Sequence, residues 1–514
     1  MNLRPFSLRG RERVRHRQHD GLRRAVRVVV GSLGVALIAV SIHTGVSGSA
    51  TSTAIQFENS RPGSPGWLGT DNRDQAIDVY ASATDALPGD DVAIHVSTSA
   101  DRPYRLLVYR LGWYGGVGAR LMTCLPGCQS ASAGEAWPVP RPDATGYINA
   151  GWPVSNHLQI GADWVSGYYE IRALLLDGRD AGQSASTFVV VRQRRSRSAI
   201  LVQVPVNTWQ AYNGWGGKSL YGVSSADGRQ AIRVSFDRPY NWVLPGAQGP
   251  LGWELPLIGF LEREGYDVTY QSDAFTDAHP RSLLHHRLDV VAGHDEYWSM
   301  RMRNGWDRAR DAGVNLAFMG ANAAYWNVRM QDAGRTIFTY KSTYDPEPNP
   351  ALKTAMFREL IPPRYECELI GIQHQGVGLN WQPGDFTIQP AVFQTPWIVG
   401  TGFAPGAIVP GIVSVESDTI PGNQTAASSC GHTLTVLFHR QRGGDKDGNA
   451  DTTIYTAPSG ARVFASGSHQ FSWALTDFPA SPAVSHGFSD LRVQRFMTNL
   501  VNDLSSESQA FVPD

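Results

Sequence analysis

Four cysteines in 514 residues and a formal charge of −1 leave few of the usual routes to chemistry. There is no Gly-x-Ser-x-Gly elbow, no His-Glu-x-x-His pair, no Walker loop and no Gly-x-Gly-x-x-Gly after the first strand of the α/β part. No cysteine stands at a strand end in that part. A serine, cysteine or zinc hydrolase of a common kind is thereby disfavoured. Charged residues make up only 18% against 42% hydrophobic, which reads as globular rather than disordered. No internal repeat is visible. What is abundant is Trp, with 15, and Gly, with 53, a combination that suits β-rich architecture with many tight turns. The length calls for two or more domains.

The N-terminal segment reads as separate from the fold. Residues 1–27 carry nine Arg against Glu12 and Asp20, an uncharged run follows from Val28 to Ile42, and Gly45-Val-Ser-Gly-Ser-Ala50 is rich in small residues. This is the pattern of an export signal ending near Ala50. The run is short for a membrane span, and an uncleaved anchor is the other outcome. Arg23-Arg24 lacks the rest of a twin-arginine motif. Taking nine of 45 basic and two of 46 acidic residues away leaves 36 against 44, a balance of about −8 that argues against a nucleic-acid partner. An even cysteine count behind an export signal favours disulfides. Cys124 and Cys128 flank the turn Leu-Pro-Gly, and Cys367 and Cys430 make the second pair. A zinc site is the rival reading, but it has no His-rich or second Cys-x-x-Cys partner nearby.

Residues 51–74, rich in Gly, Pro and Ser, read as a linker. From about residue 75 to 195, short alternating strands such as Val92-Ala-Ile-His-Val and Thr187-Phe-Val-Val-Val predict an immunoglobulin-like β-sandwich. The basic stretch Arg192–Arg197 marks its end. Beyond it, strands Ala199–Val204, Tyr266–Tyr270, Leu288–Ala292 and Val314–Met319 alternate with helices at Leu255–Glu264 and Ser299–Ala312. That alternation predicts βαβ units and a mostly parallel, doubly wound sheet over 196–514. Residues from about 365 to 465 turn β-rich again, as an antiparallel insertion or sheet extension, and Leu491–Leu504 is an amphipathic closing helix.

Three of the α/β strands end in polar residues: Asn207-Thr-Trp-Gln-Ala-Tyr212-Asn213, Gly293-His294-Asp295-Glu296-Tyr-Trp-Ser299, and Gly320-Ala-Asn322. Parallel strands place these ends on one rim, where α/β sheets collect ligands. A buried imidazole beside two carboxylates is costly without a partner such as a metal, a cation or a substrate. Taken singly, Asp295 and Asn322 read as helix caps, Glu296 as an acid favoured by a helix dipole, and Tyr212 with Trp209 and Trp215 as an aromatic sugar-binding shelf. Tyr168 and Tyr169 face opposite sides of one strand, and Tyr169 alone reads as packing. Taken together, the strand ends read as a functional rim.

These motifs, with Leu111-Gly-Trp-Tyr-Gly-Gly116, Ser166-Gly-x-Tyr169 and Gly467-Ser-His-Gln470, resemble the large (β) subunit family of N,N-dimethylformamidase, in order over roughly residues 75 to 505. The resemblance implies an immunoglobulin-like domain followed by an α/β domain similar to class I glutamine amidotransferases without their cysteine. It implies a mononuclear Fe(III) held by Tyr169, Tyr212 and Glu296, with His294 and Asn322 lining the site. Phenolate and carboxylate are hard donors suited to such an ion. The expected activity is hydrolysis of a C–N bond other than a peptide bond in a small amide, with His294 or Asp295 moving protons and Asn322 orienting the substrate. A homo-oligomer and a small partner subunit are both compatible with it. The family pattern is departed from in two places: the chain reads as exported, and Gly467-Ser-His469-Gln470 offers no carboxylate. The competing reading is a secreted or cell-surface binding protein that keeps the fold without the activity, supported by aromatic richness around Trp209, Trp215 and Trp242.

Overall fold

The computed structural model describes residues 53–70, 72, 75–241, 251–377, 383–414, 416–422, 430–440, 449–480 and 484–506. The segment read as an export signal, and Trp242, lie outside them. No helix among the described residues is long and apolar enough to cross a membrane.

Strands Ile77–Ala81, Asp91–Thr98 and Asn156–Gln159 form one antiparallel sheet. Tyr104–Leu111, Ala119–Leu125, Gly167–Leu175 and Ser184–Val191 form a second, to which Asp85–Ala86 adds a short parallel strand. Ile94, Val96, Leu106, Val108, Tyr169, Ile171 and Val189 fill the space between the sheets. The two-residue period of a strand sends neighbouring side chains to opposite faces. Tyr168 and Val190 therefore leave this core and join the larger one beneath the α/β part.

Residues 53–70, part of the stretch 51–74 read from composition as a linker, are docked on the fold. Thr53 and Gln56 form a capping box at the start of helix Ala54–Asn59. Asn59 Oδ1 accepts the backbone N–H groups of Trp113 and Tyr114. Trp67 is fully buried, its indole N–H donating to Val117 O at 2.7 Å. A few apolar anchors, Ile55 and Trp67, dock a segment that is otherwise polar.

The α/β part is built on one nine-stranded mixed sheet. Five strands are parallel neighbours in the order Val268–Ser272, Ile200–Val204, Leu288–Ala292, Asn315–Met319, Arg462–Ala465. The β-rich region continues the same sheet with antiparallel Ala450–Thr456, Thr435–Arg440, Gly384–Ile388 and Ile408–Val413. It is thus a sheet extension. Leu288–Ala292 is buried along its whole length, as in a strand covered on both faces, and its one polar side chain, Asp289, is buried with it. Helix Leu491–Leu504 packs Val493, Phe496, Leu500 and Leu504 into the main core.

The sandwich and the α/β part meet through a buried ion pair. Arg110 on a sandwich strand binds Glu262 of helix Glu254–Arg263 with both arms, at 3.0 and 2.7 Å, and neither side chain is exposed. Tyr270 and Asn59 donate to the same carboxylate. The two expected disulfides, Cys124–Cys128 and Cys367–Cys430, are both formed.

Candidate metal centre

The C-terminal ends of four adjacent parallel strands share one rim; the chain leaves three of them by a polar turn and the fourth, Ile200–Val204, directly into a helix. The turns after Leu288–Ala292 and Asn315–Met319 approach so closely that a Cβ on Gly320 would collide with Gly293 O. Between Glu296 and the helix Met300–Asp311 stands a three-residue strand, Tyr297–Ser299, which pairs in parallel with Trp326–Val328. It is Ser299, not Asp295 or Glu296, that caps the helix.

Helix Val206–Tyr212 follows its strand directly, is buried throughout, and ends on Tyr212. The chain then turns back through Gly216 and Gly217, both at positive φ, and lays the Tyr221 ring on that of Tyr212 with centroids 4.4 Å apart. Buried Trp215 anchors this turn, its edge against Trp152 and its indole N–H on Asp78 Oδ2 at 3.0 Å.

Three oxygen groups converge there. Tyr212 Oη donates to Glu296 Oε2 at 2.8 Å, Tyr221 Oη reaches both Glu296 oxygens at 2.9 Å, and the two phenol oxygens are 2.9 Å apart. Thr208 Oγ1 accepts the Glu296 backbone N–H and Trp326 Nε1 donates to Glu296 Oε1, so the residue is held at both its backbone and its carboxylate. Behind Tyr221, Tyr297 Oη donates to its hydroxyl at 2.7 Å, and Lys341 Nζ donates to Tyr297 at 3.0 Å while standing 3.4 Å over the Tyr221 ring. Burial pushes the Tyr212 and Tyr221 phenols well above their ordinary pKa, and the Glu296 charge pushes the same way. Burial lowers Lys341 to about 8 against the pull of Glu296 and Glu416.

A second group adjoins the first. His294, Glu416 and His469 offer one ligand atom each, all within 4.8 Å of one another. His294 Nε2 lies 3.4 Å from both Glu296 Oε2 and Glu416 Oε2, and both its ring nitrogens are buried without a hydrogen bond among the described residues. His469 Nδ1 accepts the Ala321 N–H at 3.2 Å, so its neutral ring carries the proton on Nε2, which faces Glu416 Oε2 at 3.1 Å. A bridge between Ser417 and Ser468 brings this glutamate and histidine side by side. Burial opposes charge on Glu416, but His294 and His469 hold it far below the usual carboxylate range. Burial likewise opposes charge on His294, and Glu416 and Glu296 raise it to about 9. Asn322 donates from Nδ2 to Glu416 Oε2 at 3.2 Å, while its own Oδ1 is buried without a partner among the described residues. Trp253 walls the group, 4.9 Å from the His469 ring.

The structure thus brings together Tyr212, Glu296, His294 and Asn322. Tyr169 is not with them. Its ring stacks on Trp164 at 4.9 Å inside the sandwich core and its hydroxyl donates to Val165 O, because strand alternation turns Tyr168, not Tyr169, toward the α/β part. Asp295 points beneath the rim, where Gln203 donates to it at 2.7 Å. Burial lifts Asp295 to about 7, with the Gln203 bond opposing. Trp209 and Trp215, read as an aromatic shelf, are buried. Sequence reading missed Tyr221, Tyr297, Lys341 and Glu416. Tyr221 had a signal, lying just past Gly216-Gly217 in the same aromatic stretch as Tyr212. Glu416 had none.

The fold and rim make a mixed α/β protein with an all-β component and a buried oxygen-and-imidazole cluster in which His294, Glu416 and His469 could hold a metal ion. The chain belongs to the family described as N,N-dimethylformamidase beta subunit-like, C-terminal, which matches residues 105–485. No curated protein sequence matches it. Among solved structures it is similar to domain 1 of VCBP3 from Branchiostoma floridae, at 11% identity and a TM-score of 0.15, over 23% of this chain and 93% of that one.

Proposed function

We propose that this protein is an exported, iron-dependent amidohydrolase that cleaves the C–N bond of a small amide with water. The observation that carries the reading is the triangle of Tyr212, Tyr221 and Glu296 oxygens with edges of 2.8–2.9 Å. Oxygen ligands about 2.0–2.1 Å from an octahedral ion stand about 2.9 Å apart along each edge. Tyr221 thus takes the place that family resemblance had suggested for Tyr169. Two phenolates and a carboxylate are hard donors whose three charges balance a trivalent iron. Without a cation these buried phenols stay protonated, and a bound cation inverts that preference.

The trio His294, Glu416 and His469 fits a metal less well, since the proton on His469 Nε2 occupies the lone pair that would face the ion. It fits proton handling instead. When bound, the iron supplies Lewis acidity, polarising the amide carbonyl and acidifying water. His294, whose protonated form Glu416 and Glu296 favour, is placed to give a proton from Nε2 to the departing amine and to regain one from the attacking water. His469 and Asn322 fix the Glu416 carboxylate by donating to it. The Oδ1 of Asn322, buried without a partner among the described residues, is left to accept the N–H that the amine gains as it departs, and Trp253 walls one side. Two disulfides suit an oxidising compartment outside the cell. A beta subunit-like family is compatible with a homo-oligomer or a partner subunit. The division into an immunoglobulin-like unit at 75–195 and an amidotransferase-like unit at 196–514 belongs to the same proposal.

Iron analysis with an absorption spectrum tests it. Purified protein should hold about one iron with a tyrosinate-to-iron band and hydrolyse small amides, N,N-dimethylformamide first among those assayed. Tyr212→Phe, Tyr221→Phe and Glu296→Gln should each lose iron and colour, whereas Tyr169→Phe keeps both. Loss of iron in Tyr169→Phe with full iron in Tyr221→Phe refutes this ligand set. Colourless, metal-free protein after iron-supplemented expression moves the binding-protein reading ahead.

A further inference from the structure

A cavity of about 500 Å³ lies where the basic stretch after the sandwich meets the edge of the mixed sheet, and it shares no lining residue with the tyrosine–glutamate rim. Its walls come from Arg192–Ser196, from the edge strand Val268–Ser272, from the end of helix Asp273–Ala278, from the turn Pro280–His285, and from Arg308. The volume falls in the range of small-molecule sites.

Its charge is one-sided. Among the described residues no lining residue is an acid, while Arg192, Arg195, Arg281, Arg308, His279 and His285 all contribute. Arg192 is answered from outside the lining by Asp85, at 3.4 Å. Arg195, Arg281 and Arg308 have no side-chain hydrogen bond or ion pair among the described residues. Arg308 is the exception on its helix. There Arg301 donates to Ala278 O, Arg303 to Asp307 and Arg310 to Asp311. Like charges around a concave wall raise the local potential and draw in a counter-charge.

The wall also has a rigid apolar face. Phe275 is clamped between the Arg192 guanidinium, 3.6 Å over its centroid, and the stacked His279 ring at 4.3 Å. Pro280 and Leu201 extend it. An inorganic ion would leave this surface uncovered.

We propose that this cavity binds a small organic anion bearing a phosphate-like oxyanion group, its charge held by Arg195, Arg281 and Arg308 and its body lying along Phe275 and Pro280. Guanidinium groups match the planar, multidentate geometry of such oxyanions.

Calorimetric titration of the full chain with phenyl phosphate, and separately with inorganic phosphate, is the test. Phenyl phosphate should bind once per chain, more tightly than inorganic phosphate, and weaken with added salt. The double variant Arg281→Gln/Arg308→Gln should weaken it by about tenfold or more. Both side chains are exposed, so an unchanged melting temperature is the check that the variant folds. Tyr212→Phe should leave binding intact, which separates this site from phosphate captured at the rim. The proposal is overturned if neither probe saturates, if the double variant binds as the parent does, or if binding disappears in Tyr212→Phe.

Discussion

Replacing Asp78 with Asn should make the protein more stable at neutral pH. Asp78 sits on the first sandwich strand, is 7% exposed, and accepts the indole N–H of Trp215, the residue that anchors the turn carrying Tyr221. Burial raises its pKa to about 6 from an ordinary 3.8, with Trp215 and Asn72 opposing. Below pH 3.8 both the folded and unfolded chains hold the proton, and burial imposes no charge penalty. As pH rises the unfolded chain ionises first, and stability is lost until the folded carboxyl ionises near pH 6. A shift of about two units corresponds to about 3 kcal/mol. Asp78→Asn removes the titration while keeping an acceptor for Trp215. Its stability relative to the parent should therefore climb between about pH 4 and 6 and level off at about 3 kcal/mol. For a unit of this size that is a melting shift of about 3 °C. Thermal or urea unfolding of both proteins across pH 4–8 checks it. A difference that does not change with pH refutes the reasoning, since loss of a hydrogen bond or of packing carries no such slope.

Glu262→Gln leaves the Arg110 guanidinium buried opposite a neutral amide and should cost about 3–5 kcal/mol in denaturant unfolding, with the sandwich and α/β part losing cooperativity. Replacing Cys367 and Cys430 together by Ser opens a loop spanning 63 positions and should cost about 4 kcal/mol, against about 2 kcal/mol for the Cys124–Cys128 pair, whose separation is 4. Equal losses for the two pairs would show that loop closure is not what these bridges supply.

The elements that could be read in advance were those whose signal is local. Leu288–Ala292 and Leu491–Leu504 were expected at the bounds the structure gives them, because a largely apolar run and a helical apolar stripe each report their own burial. The placement of His294, Glu296 and Asn322 on one rim followed from parallel strands ending in polar turns. The docking of residues 53–70 was not legible because composition averages over a segment, whereas docking depends on a few residues such as Trp67. The short strand Tyr297–Ser299 lies just ahead of the helix expected from Ser299 and went unread, and with it the contact between Trp326 and Glu296.

The choice between tyrosines lay beyond the sequence for a different reason. Alternation along Gly167–Leu175 says that Tyr168 and Tyr169 part company, but not which of them faces the neighbouring layer. Tyr221 reaches Tyr212 only because the chain reverses at Gly216 and Gly217 and Trp215 is pinned under Asp78. Glu416 comes from a distant segment, delivered by the pairing of Ser417 with Ser468. Periodicity and turn chemistry act over a few residues and so determined the strands, the closing helix and the polar rim. Which side chains meet on that rim was settled by how the layers pack and where the chain crosses between them, and those contacts leave no trace in local pattern.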